Sequence, residues 1–265
     1  MEKKLPEITL DATVFYVDVA FAELREKGVP QNLIRFFDML DMGSHYMLHY
    51  DRDRKNIVTS FSSSAHSLKL KIPQMVDLDP VGVGMKYGLP LSRLPPKDML
   101  LKCPQELLAK RLQNELPIIK LVNENYHIIV NTMELRAVGN IRKVIKLERK
   151  KMTPDGLKYL YYYHTGTKKV VDIPDTITEL PKQIVQLAIP NEAWLDPVAT
   201  AKRYSTDPML LLDVYHFQFH LEARAFPLSQ TELPKIIERN LAQGNQLKEN
   251  RMEHRITKKK LRPGL

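Results

Sequence analysis

The sequence predicts an α+β protein: a tandem duplication of one β-meander-plus-helix unit, followed by a helical C-terminal extension and a basic tail. Three observations carry this. Segments recur in the same order at nearly constant spacing, their apolar residues alternate with a period of two, and each copy holds a Leu-Asp-Pro-Val helix start.

Residues 5–25 and 116–136 are offset by 111. Leu5, Pro6, Ile8, Leu10, Val19, Glu23, Leu24 and Arg25 meet identical residues there, eight matches in 21 positions. Average composition gives a chance match about once in fifteen positions. The same offset pairs Gly28 with Gly139 and Ile34 with Ile145. It grows to 113 beyond a short insertion near Thr153, where Gly43, Tyr46, Tyr50, Lys55 and Val58 meet Gly156, Tyr159, Tyr163, Lys168 and Val171. At 117, Leu78-Asp79-Pro80-Val81 meets Leu195-Asp196-Pro197-Val198. Two copies are too few for a solenoid, so the expectation is two related domains or one pseudo-symmetric body.

Faces kept apolar in both copies are the expected core. Phe15, Val17 and Val19 align with Tyr126, Ile128 and Val130, which reads as a strand with one buried face. Asp11-Ala12 and Asn123-Glu124 stand where tight turns join it to a preceding strand. The Glu-Leu-Arg tripeptide continues the meander, with Leu24 and Leu135 inward and the charges outward. Tyr46, Leu48 and Tyr50 align with Tyr159, Tyr161 and Tyr163 as the buried face of a second hairpin. Asp79 and Asp196 are expected N-caps with Pro80 and Pro197 at the first helical position, and Gly88 stops the first helix.

The copies span residues 5–100 and 116–228, the second with an inserted strand at Tyr215–Leu221. A linking helix is expected in 101–115, with Leu107, Leu108 and Leu112 on one side. In 229–265, Ser229-Gln230-Thr231-Glu232 reads as a capping box opening a helix striped by Leu233, Ile236, Ile237 and Leu241. From about Gln246 the chain turns polar and basic, the pattern of a frayed or disordered end.

A chain that is 43% hydrophobic and 27% charged is expected to be globular, and its apolar runs are too short to cross a membrane. The segment Met1–Glu7 has no apolar run behind its two lysines, so no signal peptide is read there. Cys103 is the only cysteine, which excludes an intramolecular disulfide and fits the reducing cytoplasm.

No spacing assembles a nucleophile, base, metal or cofactor site. His216 and His220 have zinc-like i, i+4 spacing only on a helix, and the aromatic alternation around them reads as strand. Asp51 and Asp53 flank a charged turn. Gly82 and Gly84 fit neither phosphate-loop pattern, and copy two places Ala199 and Ala201 there, so close helix packing explains them. Cys103 precedes a helix start, where thiolates are favoured, without a partner base.

The net charge of +9 is concentrated. Residues 141–169 carry nine Lys/Arg against Glu148 and Asp155, and residues 245–265 carry seven against Glu249 and Glu253. Such an excess points to nucleic acid or an acidic protein surface. The expected contact set is Lys143, Lys146, Arg149, Lys150, Lys151, Lys158, Tyr162, Lys168 and Lys169 around the second copy's hairpin, with Lys258, Lys259 and Lys260 of the tail. Cations beside aromatics grip phosphates and stack on bases. The leading expectation is therefore a non-enzymatic cytoplasmic protein that binds nucleic acid. The rival is a protein–protein adaptor on a pseudo-dimeric platform, and an enzyme comes third. No pattern fixes an oligomeric state.

Overall fold

In the computed structural model, residues 4–58 and 66–243 are described, and they form a mixed α+β protein. Among them are four sheets of antiparallel strands and seven helices.

The first sheet has the order β1-β2-β3-β4, from Glu7–Leu10, Thr13–Asp18, Glu23–Glu26 and Leu33–Arg35. Short turns connect the strands, so sequence neighbours become sheet neighbours. Next come β5 (Leu40–Asp41), β6 (Tyr46–Asp51), β7 (Asn56–Ile57) and β8 (Ser67–Ile72), with β6 pairing with each of the other three. Two helices follow, α1 (Met75–Leu78) and α2 (Pro80–Tyr87). The Asp79 side chain accepts the Gly82 N–H at 2.7 Å, Pro80 takes the first helical position, and Gly88 ends α2 at φ 66°. All three follow the expected cap chemistry.

The linking helix α3 (Gln105–Leu112) half-buries Leu107 and Leu108, but Leu112 points outward at 66% exposure. The next sheet has the order β12-β11-β10-β9, from β9 (Ile118–Leu121), β10 (Glu124–Ile129), β11 (Glu134–Ala137) and β12 (Asn140–Lys146). The fourth has the order β14-β13-β15-β16, from β13 (Lys158–His164), β14 (Lys169–Val171), β15 (Ile184–Pro190) and β16 (Arg224–Pro227). Helices α4 (Glu192–Leu195), α5 (Pro197–Tyr204) and α6 (Pro208–Leu212) lie between β15 and β16, and a last helix, α7, covers 233–243.

Element bounds recur along the chain. β1, β2 and β3 return 111 residues later as β9, β10 and β11, and α1 and α2 return 117 later as α4 and α5, each with the same length. Left-handed backbone recurs with them. Asp11, Ala22, Gly28, Gly43, Lys55 and Gly88 have positive φ, and so do Val122, Met133, Gly139, Gly156, Lys168 and Ser205. The buried positions match too: Leu10, Phe15, Val17, Leu24, Ile34 and Ile72 against Leu121, Tyr126, Ile128, Leu135, Ile145 and Ile189.

Two compact units divide the chain, Met1–Leu160 with Leu187–Ala225, and Tyr161–Gln186 with Phe226–Leu265. The main core of the first is built around Phe15, Val17, Leu24, Ile34, Leu48, Tyr50, Ile72 and Val83. A smaller cluster joins Cys103, Leu212 and Phe217. In the second unit, β14 pairs with the end of β13, Tyr162 opposite Val171. There Asn240 on α7 donates to the carbonyls of Asp175 and Ile177 at 2.6 and 2.8 Å.

Four local expectations need correction. Tyr215–Leu221 is not a strand. Its polar groups go to several elements instead of one ladder: the Phe219 N–H to the Lys86 carbonyl, the Gln218 Nε2 to the Ala20 carbonyl, and the Leu221 carbonyl to the Lys120 N–H. The β9–β10 hairpin turns at Val122-Asn123, one residue early, because Leu121 must pair with Glu124 for Ile119 and Leu121 both to face the core. α7 is capped by Thr231, whose Oγ1 accepts the Leu233 N–H at 3.2 Å, because Leu228–Gln230 forms a 3-10 turn that displaces Ser229 from the cap. Finally, the charges beside Leu24 are buried, Glu23 at 1% and Arg25 at 7% exposure.

Candidate binding face of the third sheet and the buried charge cluster

The outward face of the β9–β12 sheet follows from its register. Ile118 lies opposite His127, His127 opposite Arg136, and Arg136 opposite Val144, which makes one row across four strands. Lys120 and Asn125 flank it on one side, and Ile129, Glu134 and Lys146 form the next row. Alternation forces this set outward, since Ile119, Tyr126, Ile128, Leu135 and Ile145 fill the core. β12 is an edge strand. Ile141 on it is 79% exposed, and Arg142, Val144 and Lys146 are exposed with it. Arg136 is held by Glu134 at 2.9 Å and Lys120 by Glu222 at 3.2 Å. At the centre, His127 Nδ1 is buried without a hydrogen-bond partner.

The equivalent end of the first sheet is closed. Asp18 and Glu23 oppose each other across β2 and β3, an arrangement that repels when both are ionised. Cations neutralise them. Arg224 donates to both Asp18 oxygens at 2.6 and 2.5 Å, and Arg25 stands 3.5 Å from the same carboxylate. Lys158 donates to Glu23 Oε2 at 2.5 Å, while Oε1 has no hydrogen-bond partner. Lys158 and Arg224 also flank Phe21, 4.9 and 5.2 Å from its ring centre. Burial pushes the Asp18 carboxyl upward, but Arg224, Arg25 and Lys158 bring it below its ordinary value. Burial holds Glu23 above its ordinary value despite Lys158, and Asp18 adds to the rise. At the offset of 111, Ile129 stands where Asp18 does in the first sheet, and Glu134 is satisfied locally by Arg136.

Of the residues expected to contact a partner, Lys143 is tied to Glu124 and lies 5.9 Å from the Tyr126 ring centre. Lys146 ends β12, and Arg149, Lys150 and Lys151 form a 3-10 turn on which Lys150 meets Glu148 at 3.3 Å. The expected open face of β13 is corrected at Lys158, whose side chain is only 13% exposed because Glu23 holds it. All of these belong to the first unit. Tyr162 is half-buried on β13, and Lys168 and Lys169 are exposed, in the second. Lys258, Lys259 and Lys260 lie outside the described residues. Sequence reasoning missed Asp18, Glu23, Arg25 and Arg224 as a cluster. One signal was present: Glu23 and Arg25 meet the identical Glu134 and Arg136 at the offset of 111.

His216 and His220 turn to separate partners, the Tyr87 hydroxyl at 3.1 Å and the Met85 carbonyl at 3.0 Å. Among the described residues no group of three or more His, Cys, Asp or Glu is placed to hold a metal. Cys103 is buried, and that burial raises its thiol above the ordinary value against the pull of the Phe217 N–H, so a thiolate is not favoured there. No described helix is long and apolar enough to cross a membrane. No family model matches this chain, and neither a curated protein nor a solved structure matches it.

Proposed function

We propose that the chain is a tandem duplication used as a non-enzymatic binding protein, whose second copy docks an acidic protein segment along β12 and the outward face beside it. The duplication is supported by strands and helices that return at fixed offsets with their left-handed residues in register. One observation carries the docking reading: Ile141, 79% exposed on an edge strand, with Arg142, Val144 and Lys146 exposed beside it. A strand-shaped partner gains main-chain hydrogen bonds at such an edge, apolar side chains gain burial against Ile141 and Val144, and carboxylates meet the cations. The basic tail adds long-range attraction to the same partner. A single cysteine suits a reducing, cytoplasmic setting.

Nucleic acid is the second reading, favoured by the exposed Arg149 and Lys150 of the 3-10 turn. It is weaker because the outward rows hold no Phe, Tyr or Trp to stack on bases. Fluorescence anisotropy with two probes separates the readings: an extended peptide alternating Glu with Val, and a single-stranded oligonucleotide, each across a salt series. The expected result is peptide binding that survives moderate salt and is lost in Ile141→Asp. Oligonucleotide binding that falls steeply with salt and ignores Ile141→Asp would return the chain to the nucleic-acid class.

A further inference from the structure

β5 carries an acidic, apolar edge that is the chemical counterpart of β12. After the 3-10 turn Phe36–Asp38, Met39 is extended and leads into β5, the outer strand of its sheet. Phe37, Leu40 and Met42 are 53, 62 and 52% exposed, three large apolar side chains within six residues. Asp38 is held by Arg35 at 2.5 Å. Asp41 is exposed and accepts only neutral donors, the Gly43 N–H at 2.7 Å and Gln74 Nε2 at 3.3 Å. Among the described residues it has no ion pair. The main chain is open there too. The Met42 N–H bonds the His45 carbonyl at 2.9 Å, so Met42 and Leu40 direct their polar groups to β6, and Asp41, opposite Tyr46, directs its own outward. On β12 the Leu147 N–H bonds the Met133 carbonyl at 2.8 Å, and the same alternation turns the N–H and carbonyl of Val144, opposite Arg136, outward.

We infer that the acidic segment docked on β12 is residues 37–42 of a second copy of this chain, with Asp41 opposite Val144. The inference rests on the docking reading above and names its partner. Arg142 and Lys146 lie two residues to either side of Val144, on its face of the strand. They therefore flank an Asp41 carboxylate seated there, whichever way the incoming strand runs. Among the described residues Arg142 has no ion pair. Phe37, Leu40 and Met42 gain cover together with Ile141 and Val144, all of them exposed in the single chain. Charge decides against the symmetric alternatives. β12 paired with its own copy sets the cations Arg142 and Lys146 against cations, and β5 paired with its own copy brings two Asp41 carboxylates together. A joint between two different edges is heterologous, so each added copy offers an edge for the next and assembly does not stop at a dimer. β5 is only two residues long, so a single joint is weak and fills at high protein concentration.

Sedimentation velocity on the full-length chain reads the average mass over a concentration series at two salt concentrations. The mass is expected to rise with protein concentration, to pass that of a dimer, and to fall with added salt. Leu40→Lys and Ile141→Asp change exposed side chains outside the core, and each variant alone should stay monomeric. Mixed in equal amounts they should associate again, because each keeps the edge that the other has lost. A fluorescein-labelled peptide of residues 36–43 should bind the Leu40→Lys chain and fail to bind Ile141→Asp. Asp41→Asn in that peptide should weaken it about 2- to 5-fold, the worth of an exposed ion pair. Binding of the alternating Glu/Val peptide, with no mass increase and no binding of the 36–43 peptide, would overturn the second copy as partner and leave β12 a docking edge. A mass increase that Leu40→Lys leaves unchanged would overturn it as well. If neither peptide binds, the docking reading falls with it.

Discussion

Arg224 holds Asp18 with two parallel hydrogen bonds of 2.6 and 2.5 Å, on a side chain with no exposed surface. The two residues are far apart in sequence, so the contact closes a long loop of chain onto the first sheet. A buried pair of this kind is worth little over an apolar pair of the same shape, but half of it is expensive.

Arg224→Met is therefore expected to cost about 3–5 kcal/mol, because it strips a buried carboxylate of its bidentate partner and leaves it to Arg25 and Lys158. The β9–β12 sheet suggests the compensating change, since Ile129 stands there at the offset of 111 from Asp18. The double variant Asp18→Ile with Arg224→Met should recover most of the loss. Urea denaturation of the two single variants and the double measures the coupling, and additive losses would refute the pairing.

Lys158 and Lys150 were equally visible as basic residues of the second copy, and they are expected to behave oppositely. Lys158→Met strands Glu23 and should cost about 3 kcal/mol. Lys150 is 72% exposed beside Glu148, and Lys150→Gln should stay within about 0.5 kcal/mol. Thermal melts of both variants check this.

That contrast marks what the sequence made legible. Period-two alternation assigns Tyr159, Tyr161 and Tyr163 to the buried face of β13, and the structure buries all three. Alternation says only that Lys158 is on the other face. Whether that face meets solvent or a carboxylate depends on which strands approach it, and pairing between distant segments leaves no periodic trace. Asp18 was unreadable for the same reason. Asp79 and Asp196 were readable because an N-cap bonds its own helix three residues on, within one local window. The cleft lined by Leu107, Arg111, Ile118, Trp194 and Phe217 draws on α3, β9, α4 and the segment after α6, so no motif spacing could reveal it.

Lys86 gives a pH signature. Its side chain is buried, donates to the Val19 carbonyl at 3.0 Å, and is lowered by that burial to about 8, with Asp18 and Asp98 pulling the other way. An unfolded lysine titrates near 10.4, so between about pH 8 and that value the unfolded chain binds more protons and stability rises with pH. The gain attributable to Lys86 should be roughly 1 kcal/mol between pH 8 and 9. Burial-raised Cys103, Tyr46 and Tyr87 act in the opposite sense at higher pH, since they ionise more readily unfolded. Subtracting the profile of Lys86→Met from that of the unaltered chain isolates the effect. A difference that is flat over this window would mean that the ammonium keeps its ordinary value.

The last prediction uses the C-terminal ends of α2 and α5, helices of the same length 117 residues apart. Gly88 and Ser205 both stop their helix in the left-handed region, at φ 66° and 54°. A side chain there costs roughly 1–2 kcal/mol, which glycine avoids while giving back part of the gain as unfolded-state entropy. Ser205 is exposed, so Ser205→Gly loses no packing and should stabilise by about 0.5 kcal/mol. Gly88→Ala should do the reverse and more, because its new Cβ would stand 2.4 Å from Phe219 Cε2. Gly28 supplies the control, with φ 87° and nothing within 4 Å of a built Cβ. Gly28→Ala should show backbone strain alone, about 1 kcal/mol, and Gly88→Ala about 2 kcal/mol or more, since the ring must also move. Combining Gly88→Ala with Phe219→Leu should remove the excess. Equal losses at Gly28 and Gly88, measured by denaturant titration, would show that Phe219 does not pack against the helix end.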